Sequence, residues 1–320
     1  MRVVVAGAGA MGSAMGGLLA RAGHDVALYD VRADHMDAVS AGGLTIRHGD
    51  GSTETAVFSK ATADPTELGV CDLVLVMTKT WATTDAVRAV AHAVGPETWV
   101  VSAQNGLGNE SRMAEVVGAD RVMPGTTTVG ATYLEPGVVS VSGTVTAQTS
   151  LTQFGPPHGA TKVSPEAEAV AAVFTDAGMR AEVLRDGDKV LWTKLAMAGT
   201  AGALTALSQI SVGDMVASPR AMSTWRAMLS EILAVAAAEG VDLDFGEVSD
   251  HAMSTYRAVG DHWASMAVDV KERRRTEIDS LCGEVSARGR RHDIPTPVND
   301  AIGNLILAIE ASWDNEVTGG

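Results

Sequence analysis

The sequence predicts the α/β class: a doubly wound parallel sheet in the N-terminal half, followed by an all-helical C-terminal domain. Three observations predict it. Short continuous apolar runs such as Val3-Val4-Val5-Ala6 alternate with helical patterns, as strands buried on both faces do. The first run ends in a glycine-rich loop that opens a helix. After Asp186 strand-like runs cease and helix formers dominate. The expected domains are 1–185 and 186–320; a chain of 320 residues is ample for two, since single cores stop growing near roughly 250 residues.

The first strand covers 3–6. A helix is expected over 11–21, which has no Pro, carries Met15, Leu18 and Leu19 at helical spacing, and meets Gly23 as a C-terminal stop. The second strand, 25–30, completes a strand–helix–strand unit of about 30 residues. Alternation continues through a strand at 73–77, a helix at 82–94 and a strand at 99–102, which implies helices wrapped on a parallel sheet. From 125 to 154 the texture turns to Thr, Val and Gly, as antiparallel strands at the sheet's far edge require, and a proline-containing turn is expected over 155–159. Over 190–212 the sole charged residue is Lys194, so that helix must be buried nearly all round. Pro295 and Pro297 separate the last two helices, and the final residues are expected to fray.

Composition excludes several classes. A formal charge of −15 repels phosphate backbones and anionic headgroups, so neither nucleic acid nor a membrane surface is an expected partner. Arg273 to Arg275 lie beside Glu272 and Glu277, the pattern of a solvated helix face. Aromatics are only 4%, which leaves Ala, Val, Leu, Ile and Met to build the core. Cys71 and Cys282 sit in apolar runs outside any CxxC or Cys/His cluster; they read as buried free thiols of a reducing compartment, with no disulfide and no metal site. The apolar N-terminus is broken by glycines from Gly7 on, unlike a signal peptide or a membrane span, and a cytoplasmic protein is expected. The serines have no nucleophile-elbow setting and the eight histidines no recognisable pairing, which leaves a hydrolase reading without support; His262 reads as structural or exposed.

Gly7-Ala8-Gly9-Ala10-Met11-Gly12 matches GxGxxG. Alone the pattern is weak, but here it follows a strand and opens a helix, where glycines let backbone N–H groups and the helix N-terminus approach a pyrophosphate. This is the loop of a Rossmann domain. Asp30, at the end of the second strand, is placed to accept hydrogen bonds from the adenosine ribose and to repel a 2′-phosphate, so NAD(H) is favoured over NADP(H). Two competing roles stand beside it: Arg32 offers a guanidinium to that phosphate, and a strand-end Asp also serves as a turn residue.

Lys194 is flanked by Val190, Leu191 and Leu195. Burial there favours the neutral amine unless a carboxylate compensates, and an ammonium so held is a good proton donor to a carbonyl receiving hydride. The other reading is that the long side chain extends its charge to solvent.

Taken together, Gly7 to Gly12, Lys79 in Met-Thr-Lys-Thr-Trp, Asn105 in Gln-Asn-Gly-Leu-Gly-Asn, Lys194 in Trp-Thr-Lys-Leu-Ala, Ser265 in Ser-Met and Glu277 in Arg-Arg-Thr-Glu-Ile-Asp give a sequence that resembles the ketopantoate reductases over nearly its whole length. The resemblance implies that Lys194 is the general acid, Asn105 an amide near nicotinamide and substrate, and Glu277 the acidic partner. It likewise implies that Ser265 contacts the substrate carboxylate and Lys79 the adenosine end of the cofactor. Each has a plainer reading: Asn105-Gly106 is a common turn, Lys79 a solvated loop charge, Ser265 a helix start and Glu277 a surface residue. A continuous helix would hold Ser265 and Glu277 about 18 Å apart, so one site requires the chain to bend between them or the ligands to extend along it.

The family places asparagines four and eight residues after its lysine, where this chain has Ala198 and Gly202. On an α-helix these share the lysine's face, so the wall beside it has lost two amides and gained room. A bulkier or less polar 2-oxo or 2-hydroxy acid than ketopantoate is therefore the expected small-molecule substrate. Gly199 and Gly202, at roughly 1 kcal/mol each in a helix interior, imply either tight helix packing or ligand approach. Two other readings remain. Gly9 to Gly12 and Ala22-Gly23-His24 are also similar to the start of 3-hydroxyacid dehydrogenases, and loss of the two asparagines fits a non-catalytic dinucleotide-binding sensor. The apolar C-terminal helices suggest a homodimer.

Overall fold

A computed structural model describes residues 1–142, 145–156 and 162–315. The turn expected over 155–159 and the fraying expected at the end of the chain fall, from 157 and from 316 onward, outside the described residues. The chain divides into two compact units, Met1–Gln104 with Asn109–Val190, and Asn105–Gly108 with Leu191–Gly320.

The first unit runs β1 (Arg2–Ala6), α1 (Ala10–Arg21), β2 (Asp25–Tyr29), α2 (Ala33–Gly42), β3 (Leu44–Arg47), β4 (Thr53–Ala56), β5 (Lys60–Thr62), β6 (Cys71–Val76) and α3 (Thr83–Val90). It continues with β7 (Val94–Ser102), α4 (Asn109–Val117), β8 (Val122–Met123), β9 (Gly125–Thr127), β10 (Ala131–Glu135), β11 (Val138–Val141), β12 (Leu151–Phe154), α5 (Pro165–Asp176) and β13 (Arg180–Val183). Six strands pair in parallel in the order β5-β2-β1-β6-β7-β8. This is the Rossmann arrangement, whose strand order reverses between β1 and β6. The central strand owes its place to the Val3–Ala6 run, fully buried and in register with Val26 and Leu73 at Val3.

Some boundaries differ from expectation. The helix expected over 82–94 stops at Val90, a single 3-10 turn covers Ala91–Ala93, and β7 begins at Val94. Thr98 supports this early start: its hydroxyl accepts from the Gly95 N–H at 2.8 Å and donates to the Cys71 carbonyl, so the strand passes through Pro96.

The strands expected at the far edge of the main sheet lie elsewhere. They form a four-stranded sheet, β10-β11-β3-β4, and a three-stranded one, β13-β12-β9. Their partners come from far along the chain: β11 pairs in parallel with β3, and β12 with β13. Gly17 lets the four-stranded sheet rest on α1, since a Cβ there would stand 2.6 Å from Ile46 Cδ1.

The division between units falls within α6 (Gly187–Lys194). A π-helical turn, Leu195–Gly199, joins α6 without a break to α7 (Thr200–Ser208), which Gln209 ends in the left-handed region at φ 53°. Then come α8 (Val212–Ala217), α9 (Pro219–Ala238), α10 (Phe245–Val259), α11 (Ser265–Lys271), α12 (Cys282–Arg291) and α13 (Pro297–Asn315). Their core is aliphatic and methionine-rich around the buried Trp192 and Trp225. The start of α13 is held by Glu231, whose two carboxylate oxygens each accept at 2.9 Å, from the N–H groups of Val298 and Asn299. By length and composition Gly187–Ser208 would suffice to cross a membrane, but 72% of its most apolar stretch is buried in the protein, as in a core helix. Both cysteines are buried free thiols, and burial pushes them up to about 11 at Cys71 and about 12 at Cys282.

Candidate active site

The glycine loop leaves β1 with Gly7 at φ +95°, a conformation L side chains resist, and both Gly7 and Ala8 donate their N–H groups to the Tyr29 carbonyl. A Cβ on Gly7 would lie 2.5 Å from Thr78 Cγ2. Gly9 precedes the first turn of α1, and no side chain caps that helix. The first N–H groups of α1 thus belong to a helix end that carries the positive end of the macrodipole and lacks a protein cap. A Cβ on Gly9 would meet nothing within 4 Å. The bare face at Gly9 is the opening through which a pyrophosphate reaches those donors, so the loop fits a dinucleotide.

Behind the loop lies a buried relay that the sequence reading missed. The Gly137 N–H donates to Nδ1 of His35 at 2.9 Å, which leaves the ring proton on Nε2 to be donated to Ser13 Oγ, also at 2.9 Å. Ser13 in turn donates to the Ala8 carbonyl at 2.8 Å. Burial, aided by the Arg32 charge, lowers the His35 pKa and keeps the ring neutral. Arg32 also reaches the Ala8 carbonyl, at 3.1 Å, while its Nε donates to Asp30 Oδ1 at 3.1 Å and its guanidinium lies 4.3 Å from the centre of the Tyr133 ring. Of the competing roles at the second strand's end, the turn role is visible: Asp30 accepts the Arg32 N–H at 3.0 Å, and the guanidinium is paired with the same carboxylate.

Lys79 follows β6 and precedes a 3-10 turn at Thr80–Ala82; it is half-buried rather than a fully solvated charge. Gln104 fixes that segment, donating from Nε2 to the Thr78 carbonyl at 2.7 Å and to Thr83 Oγ1 at 2.9 Å. A Gln just before Asn105 was its only sequence signal.

In the second unit Lys194 is the last residue of α6 and enters the π turn with helical φ and ψ. The residue is half-buried, and burial lowers its pKa. Gly199, at the far end of the turn, packs closely: a Cβ there would lie 2.9 Å from Leu195 Cδ1 and 3.4 Å from Leu281 Cδ2. Leu281 ends the short 3-10 helix Ile278–Ser280, and the residue preceding that helix is Glu277. The Ser280 carbonyl accepts the Leu107 N–H at 3.0 Å, and Gly106, at φ +81°, leaves no room for a Cβ, which would stand 2.5 Å from the same carbonyl oxygen. Backbone contacts therefore bring the Lys194 segment, the Glu277 turn and the Asn105 loop together in one unit.

Ser265 begins α11 and is exposed; Glu277 is half-buried. No continuous helix separates them, because α11 stops at Lys271 and Arg273 turns the chain at φ 52°. The bend that a shared site requires is present.

The segment that carries Ala198 and Gly202 is wound differently from a plain α-helix. Ala198 lies in the π turn Leu195–Gly199 rather than in an α-helix, and Gly202 in the α-helical segment that follows. Ala198 is exposed whereas Gly202 is buried, its missing Cβ having only Met266 Cβ as a neighbour, at 4.0 Å. Both remain free of amide groups.

Comparison with known proteins agrees with this layout. The family description "Ketopantoate reductase PanE/ApbA" matches residues 3–155, and "Ketopantoate reductase PanE/ApbA C terminal" matches residues 186–310. The 2-dehydropantoate 2-reductase of Halobacterium salinarum is 35% identical over 96% of this chain and 98% of its own; that of Pyrococcus horikoshii is 30% identical over 97% and 98%. Among solved structures, D-mandelate dehydrogenase with NADH and anilino(oxo)acetate superposes with a TM-score of 0.90 at 26% identity, covering 98% of this chain and 100% of its own. A PanE/ApbA family ketopantoate reductase from Ralstonia eutropha JMP134 does so with a TM-score of 0.86 at 30% identity, over the same shares.

Proposed function

The chain belongs to the ketopantoate reductase family, and from that premise we propose that it interconverts a 2-oxo acid and its 2-hydroxy acid, with Lys194 as general acid and base and NAD(H) preferred to NADP(H). A nicotinamide cofactor, when bound, supplies or accepts the hydride. The single observation that carries the reading is Lys194 itself: the sole charged residue over 190–212, with a pKa lowered by burial, in the unit that also gathers Asn105 and Glu277.

Each residue then has a defined task. The backbone N–H groups at Gly9 to Gly12 hold the pyrophosphate, Asp30 takes the ribose hydroxyls, and Lys79 holds the adenosine end. Asn105 and Ser265 fix the substrate, with Ser265 on its carboxylate. Lys194 gives its proton to the carbonyl oxygen during reduction and takes it back from the hydroxyl during oxidation; a lowered pKa makes the ammonium the stronger acid. Glu277 orients Lys194 and replenishes its charge.

The substrate is proposed to be less polar than ketopantoate, with an aryl or branched group on the oxo acid. Ala198 and Gly202 offer no amide to a substrate hydroxyl, which would lose about 1 kcal/mol for each hydrogen bond not made. D-mandelate dehydrogenase, which shares this fold and has been solved with NADH and anilino(oxo)acetate, supports both the aryl substituent and the cofactor preference. The reading also includes a cytoplasmic homodimer; two buried free thiols suit a reducing compartment.

The test is oxidation of NADH and of NADPH, followed by absorbance, with ketopantoate, phenylglyoxylate, branched 2-oxo acids and a 3-oxo acid. Fastest turnover of phenylglyoxylate or a branched 2-oxo acid with NADH is expected. Preference for ketopantoate with NADPH would reject the substrate and cofactor assignments. Turnover of the 3-oxo acid alone would favour a 3-hydroxyacid dehydrogenase, and NADH binding without turnover of any acid would favour a sensor.

A further inference from the structure

The π turn that follows Lys194 is held by side chains from two other helices. A π turn inserts one residue into the helical ladder, so carbonyls lose their usual partners and need others. Here the Tyr256 hydroxyl, from α10, donates to the Met197 carbonyl. The Thr200 hydroxyl lies 2.7 Å from the Ala196 carbonyl and 3.0 Å from that of Met197. Trp225, from α9, donates its indole N–H to Thr200 Oγ1 at 2.9 Å, with Tyr256 Oη at 3.2 Å, and its ring meets Tyr256 edge-on at 6.1 Å. Trp225 and Thr200 are fully buried and Tyr256 nearly so. Every donor in the cluster is used, and burial keeps the Tyr256 phenol protonated as a donor.

The Tyr256 and Thr200 hydroxyls converge on the carbonyls two and three residues beyond Lys194, and Trp225 holds both hydroxyls. An aliphatic core would fill the same volume without three hydrogen-bonding side chains, each of which requires a partner once buried. Their common target is the irregular turn, and the residue whose direction that turn fixes is Lys194.

We propose that Tyr256, assisted by Thr200 and Trp225, is a positioning residue for Lys194: its hydroxyl holds the π turn open and so fixes where the lysine ammonium stands. The functional sense of this rests on the acid–base reading of Lys194. Without the hydroxyl, the Met197 carbonyl loses that donor, and the segment relaxes toward the α-helical ladder. Adding or removing one residue from the winding rotates what precedes the turn, so Lys194 leaves its desolvated place.

The experiment is a pH titration of lysine Cε signals by NMR on the full chain labelled with 13C-lysine, without cofactor. There are six lysines, few enough to resolve, and Lys194→Arg assigns the signal by its disappearance. In the parent protein the Lys194 midpoint lies below the ordinary value of about 10.4, and in Tyr256→Phe it rises by about half a pH unit or more while Lys189 stays put. A Lys194 midpoint that does not rise overturns the proposal. Should Tyr256→Phe fail to fold, Thr200→Ser, which keeps the hydroxyl, is compared with Thr200→Val, which removes it: only the Val form is expected to show the rise, and equal midpoints overturn the proposal. A purely structural role would lower the melting temperature without moving this titration. Turnover retained by Lys194→Ala would sink the acid–base reading and leave the titration unaffected, so the two failures are distinguishable.

Discussion

A Cβ on Gly12 would lie 2.0 Å from the carbonyl oxygen of Gly7, the tightest approach at any glycine in the loop, whereas one on Gly9 would touch nothing. The two glycines therefore serve different ends. Gly12 closes the loop on itself, and Gly9 keeps its outer face bare.

Gly12→Ala must displace backbone, and overpacking of that kind costs about 1–3 kcal/mol or more. A fall in melting temperature of several degrees is expected, together with loss of cofactor binding. Gly9→Ala should leave the melting temperature unchanged and weaken NADH about tenfold or more, because the new methyl occupies the ligand's path. Calorimetry and fluorescence titration of NADH measure the two effects; equal effects of both substitutions on stability would contradict the assignment.

In the proposed cofactor reading, Asp30 and its ion-pair partner Arg32 act on the adenosine ribose from opposite sides. Asp30→Ala removes the ribose acceptor and frees the guanidinium, so NADH weakens about tenfold while NADPH improves. Arg32→Ala does the reverse, leaving an unpaired carboxylate to repel a 2′-phosphate. The ratio of kcat/KM for the two cofactors should move in opposite directions in the two variants, and movement in the same direction would refute the pairing argument.

His35 confers a pH dependence whose sign follows from its lowered pKa. The folded state binds its proton more weakly than the unfolded state does, so the stability contribution is whole above the unfolded value of about 6.5 and is lost as pH falls below it. His35→Gln keeps an acceptor for the Gly137 N–H and a donor for Ser13 but cannot titrate. Thermal melts between about pH 7.5 and about pH 5 should show a smaller loss of stability in the Gln variant than in the parent protein. Identical losses would mean that His35 is not the titrating group.

Ala198 is exposed at the turn beside Lys194, so a longer side chain is tolerated there. Ala198→Asn should raise kcat/KM for ketopantoate relative to phenylglyoxylate by about five- to tenfold, the worth of one hydrogen bond near 1 kcal/mol. No change in that ratio would remove Ala198 from the substrate wall.

Features that depend on local sequence were legible, and those that depend on distant partners were not. The Val3–Ala6 strand, the glycine loop and the helix and strand that follow were legible because their signals lie within about 30 residues of each other. The strands beyond Gly125 were recognised as strands but misplaced, since their partners Leu44–Arg47 and Arg180–Val183 are specified by tertiary pairing, with no local signal. The π turn left no trace in the pattern around Lys194, because Tyr256 and Trp225, which sustain it, stand far along the chain. Asn105-Gly106 reads as an ordinary turn, and only the docking of Gly106 and Leu107 on Ser280 reveals that this loop packs with the helical unit.

The acid–base role of Lys194 is tested most directly by Lys194→Ala, assayed for turnover with the best substrate and, in parallel, for NADH affinity by fluorescence. A fall in kcat of about 10²- to 10⁴-fold, with NADH affinity within about twofold of the parent, is the expected result. Turnover retained, or turnover and NADH affinity lost together, would contradict it.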